Sequence, residues 1–327
     1  MTLAAVPALP PALRRQDAAA VAMRLVSGVE TVVHGRRGTV ELVVCAVLAG
    51  GHVLVEDVPG SGKTTLARAL AASLGGDFRR VQGTADLLPA DITGSGVWEA
   101  ERGAFSFVAG PVFGHVVLVD ELNRTPPRTQ SAFLEAMDEA AVTVDGVRHP
   151  LPDPFIVLAT QNPLEQFGTY PLPEAQLDRF TVTVSLGAND PATERRVVRE
   201  QLAGPTVDAL TAVTTPAELA LVRTEVRRTH VSDAVLDHAL RVVEATRQAP
   251  EVLLGASTRA GLALVHCAQA RALLAGRDHV TPDDVKAVAP AVLGHRLVLR
   301  DSSGGLARGQ HLVAGLLGTV PVPLAAP

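Results

Sequence analysis

The sequence predicts an α/β fold: a parallel sheet of five strands covered by helices, followed by an all-helical domain. Five short apolar segments have the length and composition of strands, at 53–56, 78–82, 116–120, 155–159 and 181–185. Helical patterns at 63–74 and 127–141 lie between them, and such alternation is typical of a parallel sheet buried on both faces. From residue 191 onward every pattern is helical, at 191–203, 216–228, 232–248, 258–275 and 282–292.

These patterns divide the chain into a disordered tail at 1–16, an α/β core at 17–189 and a helical domain at 190–327. Two helical patterns open the core, at 17–34 and 38–50. Two stretches, 94–110 and 141–151, do not fit the strand–helix alternation, and each contains two β-like runs around a turn. The second turn is Asp145-Gly146, a strong hairpin signal, so both stretches are predicted to be β-hairpin insertions.

Composition limits the function classes. The 327 residues are 47 % hydrophobic and 19 % charged, as in ordinary globular proteins, and the net charge of −5 argues against a dedicated nucleic-acid surface. Cys45 and Cys267 lie in apolar helical patterns and form no C-x-x-C pair, which favours buried core positions over metal or disulfide roles. The N-terminus does not fit a signal peptide, and no apolar run is long enough to span a membrane, so we expect a cytoplasmic protein.

The segment HVLVEDVPGSGKT predicts a phosphate-binding loop. An apolar strand breaks into a loop rich in glycine and re-enters a helix, so that backbone N–H groups and the positive helix end point at one spot. Lys63 would reach the β- and γ-phosphates of ATP, and the Thr64 hydroxyl would bind Mg²⁺. The predicted nucleotide-binding residues are Val58, Pro59, Gly60, Ser61, Gly62, Lys63, Thr64, Thr65 and Asp120. The general pattern has glycine where this chain has Asp57, which is a departure.

An acidic pair follows the apolar run 116–119. Carboxylates at the tip of a buried strand are costly unless a cation lies nearby, so Asp120 is placed to hold Mg²⁺ through water. Glu121 is placed to polarise a water for attack on the γ-phosphate. An ordinary acidic exit from a strand is the alternative.

Asn162 closes the next strand, and its amide could orient the attacking water or touch the γ-phosphate. Asn-Pro is also a common start of a turn.

Two arginines are candidates for completing the site. Arg179 follows a short helix that begins at Pro173, and it could act as an arginine finger on the ATP of a neighbouring subunit. The helix dipole or an ion pair with Asp178 also explains it. Arg259 lies in the first turn of a helix, where a cation opposes the dipole, so we expect it to lie over the nucleotide cleft and sense the γ-phosphate. A surface arginine is the alternative.

Arg124 and Arg128 could contact phosphate across a subunit boundary or pair with nearby carboxylates.

Together, four segments resemble the MoxR family of AAA+ ATPases: EDVPGSGKTTLA, VDELNRTPPRTQSAFLEAMDE, ATQNPLEQFGTYPLPEAQLDRF and the stretch from Gly255 to Leu299. The likeness runs from about Val33 to Leu299, and the family tolerates Asp57.

The resemblance implies an AAA+ P-loop NTPase core with strand order 5-1-4-3-2, a helix-2 insert near 94–110, a pre-sensor-1 hairpin at 141–151 and an all-helical lid. It implies Walker A at Lys63 and Thr64 and Walker B at Asp120 and Glu121. By the same resemblance Asn162 is sensor 1, Arg179 the arginine finger and Arg259 sensor 2. Family members form hexameric rings that remodel protein clients, often with a partner that carries a von Willebrand factor A domain.

The sequence therefore predicts an Mg²⁺-dependent ATPase that acts on a protein client as a homo-oligomeric ring. A nucleic-acid motor of the same clade is the alternative, because such motors also use hairpin inserts. The hairpin tips here, Glu101-Arg102 in one and Asp145-Gly146 with Arg148 and His149 in the other, are of mixed charge rather than basic. An inactive P-loop protein that only binds is disfavoured by the presence of Lys63, Glu121 and Asn162 together.

Overall fold

The structure is a computed structural model that describes residues 13–57, 60–162, 168–204, 207–301 and 305–323. Its helices are α1 (Arg15–Glu30), α2 (Arg37–Leu48), α3 (Lys63–Leu74), α4 (Pro89–Thr93), α5 (Pro127–Glu139), α6 (Glu174–Leu177), α7 (Pro191–Ala203), α8 (Pro216–Arg227), α9 (Asp233–Gln248), α10 (Thr258–Leu274), α11 (Pro282–Leu293) and α12 (Gly305–Leu317). Its strands are β1 (Val53–Glu56), β2 (Phe78–Gln82), β3 (Gly94–Glu99), β4 (Ala104–Ala109), β5 (Val116–Asp120), β6 (Ala141–Val144), β7 (Val147–Pro150), β8 (Ile156–Gln161), β9 (Val182–Val184), β10 (Val252–Leu254) and β11 (Val298–Leu299).

The central sheet has five parallel strands in the order β2-β5-β8-β1-β9. Counted among the sheet strands alone and read from the β9 edge, this is 5-1-4-3-2, so the predicted order is confirmed. Alternate residues of each strand face opposite sides. Leu118 and Leu158 pack on one side with α1, α2 and α3, whereas Val117 and Val157 pack on the other with Phe133 and Leu134 of α5. Both faces are therefore covered.

Both predicted hairpins are present. β3 pairs antiparallel with β4, and β6 pairs antiparallel with β7 across the Asp145-Gly146 turn. The two hairpins contact each other through Phe107 and His149, whose rings stack with their centroids 3.9 Å apart. Trp98 and Phe105 lie side by side on the first hairpin and are exposed. The hairpins thus form one projecting unit with an aromatic surface.

The helices after residue 190 agree with the prediction to within a residue or two at each end, and two elements were not anticipated. One is α12; the other is the small antiparallel sheet of β10 and β11 inside the otherwise helical lid. The buried residues of the lid and those of α1 to α3 form one continuous apolar cluster, because α10 packs against both α1 and α2. The lid is therefore anchored to the N-terminal helices of the core.

At the N-terminus, α1 begins at Arg15. Arg15 and Gln16, which we assigned to the tail, are therefore helical. Residues 1–12 of that predicted tail lie outside the described residues. Among the helices that the structure describes, none has the length and apolar character needed to cross a membrane.

Candidate nucleotide site

The phosphate loop leaves the carboxyl end of β1 and enters α3. Gly60 and Gly62 have φ values of 82° and 95°, a left-handed conformation that glycine adopts without strain, and Gly62 is the N-cap of α3. Apart from the adjoining chain, no atom of the described residues lies within 4 Å of where a Cβ would be at either glycine, so the loop faces open space on this side. Val58 and Pro59 lie outside the described residues.

The contacts of Asp57 explain why this residue stands where the general pattern has glycine. Its buried carboxylate accepts hydrogen bonds from the backbone N–H groups of Leu186 (2.8 Å) and Gly187 (2.9 Å), just after β9. Its backbone N–H donates to the carbonyl of Gln161, and its own carbonyl accepts from Lys63 Nζ at 2.8 Å. Asp57 therefore joins the root of the phosphate loop to the ends of the two neighbouring strands.

Asp120 ends β5 beside this loop, as the sequence predicted. Its carboxylate is buried and forms an ion pair with Arg80 of β2 at 2.7 Å. Among the described residues no group of three or more His, Cys, Asp and Glu side chains could hold a metal ion. Mg²⁺ does not need such a cage, because it is commonly held by one or two carboxylates, substrate phosphates and water. A metal bound at Asp120 would share the carboxylate with Arg80 or displace Arg80 from it.

Glu121 lies at the tip of the same strand in a left-handed conformation, with φ 57° and ψ 51°. This conformation is uncommon for residues other than glycine, and such strain concentrates at functional sites. The Glu121 N–H donates to Thr160 Oγ1 at 2.9 Å, and its carboxylate accepts from Gln82 Nε2 at 3.0 Å. Arg124 forms an ion pair with the same oxygen at 3.3 Å, which favours the local pairing that the sequence left open. Arg128 is exposed.

Gly83 shows how closely the strand ends approach one another. Its N–H donates to the Asp120 carbonyl at 2.7 Å, and a Cβ at this position would lie 2.3 Å from the Glu121 carbonyl oxygen. Any larger residue would push β2 away from the acidic pair. Gly83 is therefore required for the contact between Gln82 and Glu121.

Asn162 is buried directly after β8, whose last residue, Gln161, is in register with Glu56 of β1. β8 lies between β1 and β5, so Asn162 follows the strand that separates the phosphate loop from the acidic pair. In open α/β sheets, ligands bind at the carboxyl ends of the strands where the strand order reverses. The structure therefore brings the loop, the acidic pair and Asn162 together at the carboxyl ends of three adjacent strands.

A cavity extends from the phosphate loop to α7. Gly60, Ser61, Gly62 and Thr65 line one side, and the other lining residues are Val32, Val33, His34, Arg36, Leu186, Asn189, Val197 and Gln201. His34 Nε2 lies 2.6 Å from Glu200 Oε2, which joins the turn between α1 and α2 to α7. Ser61 Oγ and Arg36 Nη2 are buried and have no hydrogen-bond partner within the described residues. Buried polar atoms are normally paired, so these two fit a cavity built for a polar ligand.

The two candidate arginines lie together, but not in this cavity. Arg179 Nε is 3.1 Å from Asp138 Oδ2, and Arg259 pairs with the other oxygen of the same carboxylate. They line a second cavity with Gly50, Gly51 and His52, which precede β1, whereas the phosphate loop follows β1. At about 3.3 Å per residue, β1 separates the two cavities by about 13 Å. The expectation that Arg259 lies over the nucleotide cleft of its own chain is therefore wrong, because Arg259, at the start of α10, lines the cavity at the amino end of β1 and not the cavity beside the phosphate loop.

The segment that carries Arg179 is fixed to the lid. Asp178 forms an ion pair with Arg296 (2.9 Å) rather than with Arg179, and Arg296 Nη2 and His295 Nε2 both donate to the Phe180 carbonyl. Burial lowers the pKa of His295 to about 3 and that of Arg296 to about 10. His295 is therefore neutral at pH 7, and Arg296 stays charged. Ser257, the N-cap of α10, also contacts Asp178 at 3.2 Å. Arg179 and Arg259 are thus presented by one rigid surface.

The chain is similar to known proteins over most of its length. The model of the ATPase family associated with various cellular activities (AAA) matches residues 52–182, and the AAA lid domain matches 244–311. The "Chaperone MoxR1" of Mycobacterium tuberculosis is 38 % identical, over 92 % of this chain and 82 % of that protein. The chain belongs to the MoxR family of AAA+ ATPases. A relative from Bacillus subtilis, the uncharacterized protein YeaC, is 44 % identical over 92 % of this chain and 94 % of its own length. The crystal structure of a Cytophaga hutchinsonii protein assigned as an ATPase superposes with a TM-score of 0.85 at 35 % identity, covering 95 % of this chain and 97 % of that one.

Sequence reasoning missed Arg80, Gln82 and Asp138. The first two act through the pairing of β2 with β5, a contact between distant segments that local patterns do not reveal. Asp138 carried a signal, because it lies in the last turn of α5, where a negative charge opposes the helix dipole. The reasoning that singled out Arg259 in a first turn applies equally to Asp138.

Proposed function

We propose that this MoxR-family protein hydrolyses ATP with Mg²⁺ and uses the energy to remodel protein complexes. One observation carries the proposal: the glycine loop at 60–62, the Asp120-Glu121 pair and Asn162 follow adjacent strands of one sheet, at the edge where such sheets bind ligands. The open loop, the cavity behind it and the two polar atoms in its wall that find no partner among the described residues fit a nucleotide.

In this site the backbone of the loop and Lys63 bind the phosphates, and Thr64 and Asp120 hold the metal. When bound, Mg²⁺ neutralises charge on the β- and γ-phosphates. Glu121 accepts a proton from the attacking water, and its carboxylate is aimed by Gln82, Arg124 and the strained backbone. The Asn162 amide orients that water or binds a γ-phosphate oxygen.

Hydrolysis also needs positive charge at the γ-phosphate, and we assign it to a neighbouring copy. Arg179 and Arg259 lie near the amino end of β1, whereas their own phosphate loop follows its carboxyl end. Within one chain the two arginines therefore cannot reach the bound phosphates. A head-to-tail ring, which we take to be a hexamer, would bring them to the next subunit's ATP, and Asp138 would release them there. Arginines supplied in trans stabilise the charge that develops in the transition state.

Two variants should separate ATP binding from ATP hydrolysis. Lys63→Ala should lose ATP binding, whereas Glu121→Gln should bind ATP and lose turnover. A fluorescent ATP analogue and a phosphate-release assay measure the two properties. Near-normal turnover of Glu121→Gln would show that Glu121 is not the base.

The arrangement in trans is tested by mixing two inactive variants, Lys63→Ala and Arg179→Ala. A Lys63→Ala subunit still presents its arginines to the intact ATP site of an Arg179→Ala neighbour, so part of the activity should return. An inactive mixture, with mixed assemblies present in gel filtration, would contradict action in trans. Wild-type activity per subunit should also rise with protein concentration.

The client is a protein complex in this proposal, with a von Willebrand factor A domain protein as adaptor and the cytoplasm as the site of action. Glu121→Gln, which holds ATP, should retain both partners in a pull-down from cells. The matched control is Lys63→Ala, which should retain neither because it does not bind ATP.

A nucleic-acid motor is the second candidate, and the exposed Trp98 and Phe105 pair favours it, since aromatic side chains stack on bases. The charges beside the pair argue against it: Glu99 is paired with Arg102, and Glu101 and Asp145 add no positive charge. We expect binding to single-stranded DNA that disappears at physiological salt. ATPase activity stimulated by nucleic acid at that salt would favour the motor.

A further inference from the structure

Helix α7 exposes an apolar stripe that nothing in the described chain covers. Val198 and Leu202 are 54 % and 84 % exposed, and with Arg195 and Arg199 they follow the spacing i, i+3, i+4, i+7. Residues at this spacing share one face of a helix. We call these four residues the α7 stripe. The opposite face of α7 carries Val197 and Gln201, which line the nucleotide cavity. The stripe therefore lies on the back of the wall of the nucleotide site.

A groove of complementary character lies on the other side of the subunit. It has a volume of about 780 Å³ and lies between α6, β10 and the start of α10. Leu253 and Leu254 line it and are 64 % and 57 % exposed. Asp178 and Arg296 line both this groove and the cavity that holds Arg179 and Arg259. The groove is thus continuous with the arginine surface.

The two surfaces also carry charged groups that can pair. Arg195 and Arg199 of the stripe are exposed and have no ion-pair partner in the described chain. Glu174 lines the groove together with Arg247, and Glu135 and Glu139 lie beside Arg179 on the same side of the subunit. In the part of the chain that the structure describes, these three carboxylates also form no ion pair. The helix face is therefore basic and apolar, and the groove is apolar with charges of both signs and two further carboxylates beside it.

We propose that the α7 stripe of one subunit docks in the groove of the next copy of this chain. The inference rests on the proposed function, because a ring that brings Arg179 and Arg259 to a neighbour's phosphates also brings the groove next to that neighbour's α7. An apolar helix face with anchors at this spacing is the kind of ligand that a groove accepts. Because its other face lines the nucleotide cavity, α7 links each ATP site directly to the subunit interface.

Cysteine cross-linking tests this contact. The native thiols do not interfere, because Cys45 and Cys267 are buried, and burial raises the pKa of both, that of Cys267 to about 12. In a Glu121→Gln background with ATP, a mixture of Leu202→Cys and Leu254→Cys chains should give disulfide-linked dimers on mild oxidation, since a disulfide requires Cα atoms within about 7 Å. A chain that carries both cysteines should give ladders of higher oligomers.

The matched control pairs Leu202→Cys with Leu88→Cys, a similarly exposed site at the start of α4 on the other face of the sheet. This pair should not cross-link. A Leu202→Glu variant should bind ATP normally, yet need at least tenfold more protein to reach half-maximal activity. Leu254→Arg in the same chain should reverse part of that shift, because it pairs with the new carboxylate.

The outcomes distinguish this inference from the proposed function. If Lys63→Ala and Arg179→Ala complement each other but Leu202→Cys and Leu254→Cys do not cross-link above the control, the ring stands and this contact is wrong. If neither complementation nor cross-linking occurs, the action in trans and the contact that rests on it both fail.

Discussion

At the scale of single residues, Asp57 shows how a departure from a motif is explained by its contacts. The general loop has glycine there, but this chain has an aspartate whose carboxylate accepts hydrogen bonds from two N–H groups after β9. Those groups belong to the segment that leads into α7. Asp57 therefore fixes the loop and the approach to the lid relative to each other.

Replacing Asp57 should reveal this role. Asp57→Ala leaves the buried N–H of Leu186 and the part-buried N–H of Gly187 without their acceptor, which costs about 1–3 kcal/mol of the free energy of unfolding and weakens ATP binding. Asp57→Asn keeps an acceptor oxygen and should stay close to wild type. Urea unfolding and nucleotide titration measure the two effects. If Asp57→Gly, which restores the general pattern, were as stable as wild type, the hydrogen bonds would have no structural weight.

At the scale of elements, α11 depends on one buried carboxylate. Asp284 accepts hydrogen bonds from Thr281 N and Oγ1 (both 2.8 Å) and from both terminal nitrogens of Arg277 (2.6 and 2.7 Å). Burial raises the pKa of Asp284, but the hydrogen bonds from Arg277 and Thr281 outweigh it and lower the pKa below its usual range. Thr281 and Asp284 thus bond to each other in both directions, as a capping box at the start of α11.

Asp284→Ala should lower the free energy of unfolding by about 1–3 kcal/mol at pH 7, because it removes the capping box of α11 and leaves the half-buried Arg277 guanidinium without its ion-pair partner. The folded pKa is depressed, so this stability is present above the unfolded value of about 3.9 and is lost as pH falls through the folded value. The difference between wild type and variant, measured by chemical denaturation from pH 7 to pH 3, should therefore shrink toward acid. A constant difference would mean that the charge does not contribute.

The elements that the sequence did not predict have physical reasons. α12 contains Gly305, Gly309 and Gly315, which lower helix propensity, yet a Cβ at Gly309 would lie 2.1 Å from the Gly294 carbonyl oxygen. Glycine is there for close packing, and tertiary contact overrides local preference. β10 and β11 are two or three residues long and pair across more than 40 positions, so no local period marks them. By contrast, the sheet and both hairpins have clear patterns and turns, and the phosphate loop has a motif; all were predictable.

At the scale of the whole molecule, the packing of the lid on α1 and α2 determines where the arginines act. Sequence alone placed Arg259 in a first turn but could not show which edge of the sheet that turn faces, because the choice depends on contacts between α10 and the N-terminal helices. In the structure Arg179 and Arg259 share Asp138. Both arginines should therefore serve the neighbour's site, and each should be dispensable in the subunit that holds the active nucleotide.

Two mixtures of inactive variants decide between action in trans and action within the chain for Arg259. Lys63→Ala mixed with Arg259→Ala should regain activity, because the Lys63→Ala subunit presents both arginines to an intact neighbouring site. Arg179→Ala mixed with Arg259→Ala should stay inactive, because neither subunit presents both. If Arg259 acted on its own nucleotide, the results would be reversed. The Arg179→Ala subunit would then use its own Arg259 and the Arg179 of its Arg259→Ala neighbour, so only the second mixture would be active. Phosphate release at a fixed total protein concentration, compared with each parent alone, measures both mixtures in one experiment.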